Sequence, residues 1–255
     1  MTPRNKKYNT NNEQGDYYMF GLHAVKAAIE NPYRRKHELW ISQNARAKMF
    51  GNTKIPAIPI FNIDKSKNLP ISESNVHQGA ILKVSPLRQL SEVDEISKTH
   101  QAKLVVILDK VSDPQNVGAI IRSSLFFNCN AIINAFNGGP SENGSLVKAA
   151  SGAFEQVNYI QVANIVQTIS KLKKNGYFII GLDENSADKI SSIEKGNSDT
   201  AIVFGAEGKG IRRLTREHCD LLVSIDGNHS FSSLNVSTAV GITLFNMQSN
   251  GFNSV

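Results

Sequence analysis

Residues 104–127, LVVILDKVSDPQNVGAIIRSSLFF, constrain the fold more than any other stretch: an uninterrupted apolar run empties into a polar turn and then into a helical pattern. Leu104, Val105, Val106, Ile107 and Leu108 leave no polar face, which suits a strand buried on both sides of a parallel sheet. Asp109 ends the run. Asp113 followed by Pro114 has the form of a helix N-cap with proline in the first turn, where its missing N–H has no helical partner to lose. The helix expected from there to about Asn128 places Val117, Ile120, Ile121, Leu125 and Phe126 at helical spacing, yet carries Asn116 and Arg122 among them. Ligands of open α/β sheets bind at the carboxyl ends of the strands, and residues 109–116 occupy such an end. The plainer alternative makes Asn116 a cap and Arg122 a solvated residue.

After residue 104 the pattern alternates regularly. Strands are expected at 131–134, 157–160, 177–183, 200–205 and 221–225, with helices over 146–154, 165–174, 211–218 and 234–248. Strands alternating with helices give the α/β class, a mostly parallel sheet covered on both faces. Residues 17–88 read as a separate small α/β domain: a helix from Leu22 that stops at Asn31-Pro32, a strand HELWIS, a helix ARAKMF closed by Gly51, a proline-interrupted edge segment IPAIPIFNI, and a strand GAILKV. Residues 1–16 are expected to be a disordered tail, 89–103 a polar linker, and 104–255 the second domain.

The formal charge of +6 is unevenly spread, and 17–88 carry 11 Lys and Arg against 4 Asp and Glu. Arg34, Arg35 and Lys36 stand consecutively there, an electrostatic footprint suited to a polyanion, nucleic acid first; a solvated positive face is the alternative. No apolar run approaches a membrane span and the N-terminus has no apolar h-region, so a cytoplasmic protein with no membrane partner is expected. The two cysteines, Cys129 and Cys219, support neither a disulfide framework nor a zinc site.

Two further strand-end loops carry polar residues beyond structural need. FGAEGKGIRR has glycines at 205, 208 and 210, a spacing that matches neither the dinucleotide fingerprint nor a Walker A loop, so a nucleoside triphosphate is not indicated. The glycines let the backbone turn sharply, and Glu207 sits inside the turn, either as a functional group or as a cap for the helix bearing Arg212 and Arg213. DGNHSFSSLNVS leads into the last helix with Ser233 and Asn235, either of which could cap it. Three such loops outline one composite pocket. None offers metal-ligand spacing, so chemistry without a metal is expected, and His229 reads as a loop residue, not a general base.

Together DPQNVGAIIRSS, VFGAEGKGIRRL and SLNVSTAVGI resemble, in order and spacing, the motifs of the SpoU/TrmH branch of the SPOUT RNA methyltransferases. The likeness covers about 104–248, and the preceding domain, with FGLHAVKAAIE and HQGAILKVSP, resembles the L30e-like RNA-binding domain of the ribosomal subgroup. The resemblance implies methyl transfer from S-adenosylmethionine to a guanosine ribose 2′-oxygen in large-subunit (23S) rRNA, a trefoil knot and a homodimer whose interface uses the last helix with Val236, Val240, Leu244 and Phe245. It implies catalytic roles for Asn116, Arg122, Glu207, Ser233 and Asn235 and cofactor contacts from Phe204, Gly205, Gly210, Ile225 and Leu234; since a guanidinium keeps its proton, Arg122 is read as a clamp on the RNA phosphate or the developing alkoxide, oriented by Glu207 and Asn116. Arg34, Arg35, Lys36, Arg212 and Arg213 are the expected RNA contacts. The chain departs from the family at Asp226, Gly227 and His229, where Ile-Pro-Met and a glycine are usual. A transfer-RNA methyltransferase and a non-catalytic rRNA-binding protein are the alternatives.

Overall fold

The computed structural model describes residues 15–51, 57–87, 104–129, 131–193, 199–227 and 234–250. The N-terminal part builds β1 (Tyr17–Phe20), α1 (Leu22–Glu30), β2 (Lys36–Ile41), α2 (Gln43–Phe50), β3 (Ile60–Asn62) and β4 (Ala80–Val84). They form a four-stranded sheet in the order β1-β4-β2-β3, with β3 the edge strand that its flanking prolines foretell. Ser42 caps α2 by accepting the Ala45 N–H at 3.2 Å, and Gly51 ends it with φ of 50°.

The second part runs β5 (Leu104–Asp109), α3 (Pro114–Phe126), β6 (Ala131–Ala135), α4 (Gly144–Ala149), β7 (Asn158–Val162), α5 (Ile165–Lys174), β8 (Phe178–Leu182), β9 (Thr200–Gly205), α6 (Arg213–Glu217), β10 (Leu221–Val223) and α7 (Val236–Ser249). Its six strands pair in the order β10-β8-β9-β5-β6-β7, and every pairing is parallel. β5 is buried along its whole length because its side chains feed two cores: Leu104, Val106 and Leu108 pack with α3, α4 and α7, while Val105 and Ile107 pack with α5. The first of these cores is continuous with Met19, Val25, Leu39 and Leu82 of the N-terminal part.

One expected helix is interrupted. Residues 146–154 do not continue as one helix: α4 stops at Ala149, Ser151 and Gly152 take φ of 51° and 89°, and a single 3-10 turn follows at Ala153–Glu155. A Cβ on Gly152 would stand 3.0 Å from the Ala27 Cβ and 3.2 Å from the His23 carbonyl oxygen, so the helix breaks where α1 docks. The polar stretch after β4 is tied down at its start, where the Leu87 N–H donates to Glu142 Oε2 at 3.0 Å; residues 88–103 and 1–14 lie outside the described residues.

α3 crosses α4 at Gly118, where an added Cβ would lie 2.3 Å from the Ala149 Cβ. Gly118→Val is therefore expected to overpack the crossing by about 1–3 kcal/mol, a fall in Tm of roughly 2–4 °C per kcal/mol in a chain of this size. Thermal unfolding of the variant checks this, and an unchanged Tm would show that the two helices part freely.

Candidate active site

Asp109 and Gly205 are register partners at the carboxyl ends of the adjacent strands β5 and β9, so the loops that follow them start side by side. Asp113 caps α3 as its sequence suggests, its carboxylate accepting the N–H of Gln115 at 3.1 Å and of Asn116 at 3.3 Å. That cap fixes Asn116 in the first turn of α3, at the mouth of the sheet. After β9 the backbone doubles back: Ala206 bridges to Gly210, and a Cβ on Gly205 would stand 2.0 Å from the Gly210 carbonyl carbon, a space only glycine leaves open. The fold of this turn carries Glu207 outward toward Asn116.

Asn235 closes the arrangement. Its Oδ1 caps α7, accepting the Ser237 N–H at 2.9 Å, while its Nδ2 donates to Glu207 Oε1 at 2.6 Å and to Asn116 Oδ1 at 3.0 Å. Asn116 Nδ2 donates to the same Glu207 oxygen at 3.2 Å, and the Val236 N–H approaches it at 3.4 Å. Three loops 91 and 28 residues apart in the chain thus meet on one carboxylate oxygen. Two amide donors and the first N–H of a helix fix this carboxylate oxygen in position. Glu207 does not cap α6; the N-cap there is Arg212, with no side-chain capping bond.

Asp109, read from sequence only as the end of a strand, is fully buried and holds Arg212 through three donors: the backbone N–H at 3.1 Å, Nε at 2.7 Å and Nη2 at 2.6 Å. This pair locks the far end of the Glu207 turn to β5. The signal available was an acidic residue closing an otherwise apolar strand.

The other sequence candidates fall in several places. Arg122 is exposed on α3, and the hydrogen bonds of Asn116 and Glu207 go to each other and to Asn235, not to Arg122 as expected. Ser233 and His229 lie outside the described residues. Arg34 is corrected: it is 3% exposed, buried against two carboxylates, and faces no solvent. It pairs with Glu142, and its Nη2 and Nε reach Glu155 at 2.6 and 3.2 Å, while Tyr17 donates to Glu142 at 2.7 Å and Asn31 to Glu155 at 2.8 Å. Burial opposes the guanidinium charge, but the Glu155 hydrogen bond and the Glu142 charge outweigh it and lift its pKa above the ordinary value. Burial raises the Glu142 carboxyl, with Arg34 working against the rise. Of the basic run, Arg35 is exposed and Lys36 donates to the Asn31 carbonyl at 2.7 Å. Arg213 pairs with Glu217 at 2.5 Å on an exposed face.

Residues 103–245 match the family model described as the SpoU rRNA Methylase family. The chain belongs to that family. Residues 18–90 of this SpoU-family protein match the model described as RNA 2′-O ribose methyltransferase substrate binding. It is 36% identical over 240 residues to the 23S rRNA (guanosine-2′-O-)-methyltransferase RlmB of Escherichia coli, covering 89% of this chain and 96% of that one. The RlmB of Pseudomonas aeruginosa is 34% identical over 236 residues, covering 89% and 94%. Among solved structures, the SpoU methyltransferase AviRb of Streptomyces viridochromogenes in complex with AdoMet has a TM-score of 0.74 at 19% identity, covering 94% of this chain and 92% of that one. An AdoMet-bound rRNA methyltransferase of Sinorhizobium meliloti has a TM-score of 0.72 at 18% identity, covering 92% and 88%. At such identities these structures share the fold, and they share it over both parts of the SpoU-family chain.

The residues present fit a bound cofactor in the SpoU-family site. Gly208, Gly210 and Gly227 each have nothing within 4 Å of an added Cβ, so the backbone is open to a ligand in the loop after β9 and in the one after β10. Leu234, next in the chain to Asn235, is 45% exposed and offers an apolar contact, and Ile225 is half-buried. Phe204 is corrected in one respect: its ring is buried in the core, so only its backbone can face the site. Asp226, one of the departures, accepts from Ser191 Oγ at 2.6 Å. Two cavities, of about 220 and 300 Å³, lie elsewhere, one beside Asn31 and Glu155 and one beside Leu22 and Lys48. Neither cavity is lined by Asn116, Glu207 or Asn235.

Proposed function

We propose that this protein transfers a methyl group from S-adenosylmethionine to the ribose 2′-hydroxyl of one guanosine in 23S rRNA. The observation that carries the reading is the convergence of Asn116, Glu207 and Asn235 from three strand-end loops beside an open glycine-lined backbone, in a chain whose relatives of that activity align along nearly its whole length. S-adenosylmethionine, when bound, supplies an electrophilic methyl group. Gly205, Gly210, Ile225, Leu234 and the Phe204 backbone are the residues proposed to hold it. Asn116 and Asn235 hold the Glu207 carboxylate in place, Ser233 is a further catalytic residue of this reading, and Arg122 grips an RNA phosphate or the developing alkoxide. Arg122 is not the base, since a guanidinium keeps its proton in proteins.

A homodimer belongs to the same reading, with a changed interface. Val236, Val240 and Leu244 are spent on the protein's own core, whereas Phe126, Ile242 and Phe245 are exposed. The Phe126 and Phe127 rings meet edge to face at 5.0 Å, and Phe127 meets Phe245 at 6.4 Å, which makes one aromatic patch across α3 and α7. Exposed clusters of this kind mark association surfaces. Arg122 lies one turn before Phe126 on the same helix face, at the rim of that patch. The trefoil knot and a cytoplasmic location, where rRNA substrate is available, complete the proposal.

Incubation of the purified protein with a 23S rRNA transcript, transfer RNA and labelled S-adenosylmethionine, followed by mapping of ribose-methylated sites, tests it. Label on one guanosine of 23S rRNA is expected. Label confined to transfer RNA, or no label while the cofactor binds, would overturn the substrate or the activity respectively.

A further inference from the structure

We propose that the Phe136 ring and the Lys110 ammonium form a ledge beside the active site on which an unpaired nucleotide flanking the target stacks. The proposal rests on the methyltransferase reading above and assigns a substrate contact that the three motifs do not contain. β5 and β6 are parallel neighbours, with Leu108 opposite Asn134, so Lys110 and Phe136 both emerge at the carboxyl edge where the Asn116 loop begins. Phe136 is 47% exposed, yet its backbone is fixed: its N–H donates to the Val162 carbonyl at 2.9 Å, extending the β6–β7 ladder. Lys110 takes a left-handed φ of 70° and its Nζ donates to the Asn137 carbonyl at 2.7 Å, which leaves further donors on the same ammonium. The turn between them is tight, since a Cβ on Gly138 would lie 2.7 Å from Lys110 Cδ and one on Gly139 would lie 2.4 Å from Asn134 Cγ.

The same segment reaches both parts of the protein. Asn134 Nδ2 donates to the Val111 carbonyl at 3.3 Å, on the loop that leads to Asn116. Six residues after Phe136, Glu142 enters the buried cluster with Arg34 and Tyr17. An RNA held by the N-terminal domain and reaching the Asn116–Glu207–Asn235 site is therefore offered an exposed aromatic face and a cation on a segment tied to both. That pairing is the chemistry that grips single strands: the π-face takes a base of any identity, and the cation takes the neighbouring phosphate. A lone exposed phenylalanine is ordinary; a backbone-fixed one, followed at once by the carbonyl that a lysine ammonium holds at the same strand edge, is not.

Binding of a fluorescently labelled 23S rRNA transcript to the full-length protein, measured across a salt series, tests the ledge. Phe136→Ala is expected to weaken binding about tenfold at every salt concentration, with Phe136→Trp restoring it. Lys110→Gln is expected to reduce the slope of log affinity against log salt by about one. S-adenosylmethionine affinity measured alongside reports whether a variant is folded, and Phe136→Leu replaces Phe136→Ala if that variant is not. Wild-type affinity in the phenylalanine variant overturns the ledge, as does dissociation of a dimer by the same change, which would mean that a second copy covers the ring. If the wild-type protein binds RNA but methylates none, the activity fails while the binding series still decides the ledge; if it binds no RNA, both fall.

Discussion

Arg34→Ala is expected to lower the unfolding free energy by about 3–5 kcal/mol, the cost of leaving buried charge without its partner. That corresponds to a fall in Tm of roughly 2–4 °C per kcal/mol. Arg34 is the cation that Glu142 and Glu155 share at the junction of the two sheets, and each of the two acidic side chains is 2% exposed beside it. Tyr17, Asn31 and the Leu87 N–H give hydrogen bonds to them but no charge. The pH dependence carries a sign. In the variant the Glu142 carboxyl, raised by burial, loses the Arg34 charge that works against the rise, so the folded state binds more protons there and the loss shrinks as the pH falls toward that raised value. Denaturant unfolding at pH 8 and at pH 5 measures both quantities. A loss below about 1 kcal/mol at pH 8 would assign the cluster the small worth of a surface pair. Arg34→Met combined with Glu142→Gln and Glu155→Gln is expected to recover much of the stability, since no unpaired charge remains.

Arg122→Lys is expected to lower kcat on rRNA by about tenfold to a hundredfold, and Arg122→Ala by up to about a thousandfold, in the range of a lost electrostatic contact to developing charge. The argument is geometric. Lysine keeps the charge but lacks the planar fork that grips a phosphate through two parallel donors. Arg122 is exposed on α3, and the Asn116, Glu207 and Asn235 side chains are engaged with one another, so its fork is available to substrate. S-adenosylmethionine affinity, measured in parallel by calorimetry, is expected to stay at the wild-type value. Near-normal turnover in the lysine variant would remove the clamp, and a matched loss of cofactor affinity would relocate the residue to the cofactor side.

The sequence was most legible where a local rule had no competitor. Asp113-Pro114 and Gly51 mark helix ends by capping and backbone conformation alone, and both do so. The polar excess of the three strand-end loops was likewise visible, because Asn116, Glu207 and Asn235 interrupt patterns that need no such groups, and the structure brings those three together. Legibility ended where a distant segment decides. The helix expected over 146–154 breaks because Gly152 packs on α1, more than 100 residues earlier in the chain. Arg34 looked like part of a basic surface because its partners, Glu142 and Glu155, are 108 and 121 residues away. Asp109 reads only as a strand end because nothing in the local pattern shows that Arg212 will return to it.

The order of the parallel sheet has a consequence for how the chain is made. β5 pairs on one side with β6, which follows at once, and on the other with β9, whose Thr200 stands opposite Leu104. A ribosome adding about 5–20 residues per second needs roughly 5–20 seconds to deliver that second neighbour. Until then the most apolar strand of the protein presents an unsatisfied edge, a template for pairing with other nascent chains. Assembly of the sheet therefore waits on translation, and the interval is one in which a chaperone that shields strand edges would raise the yield of folded protein.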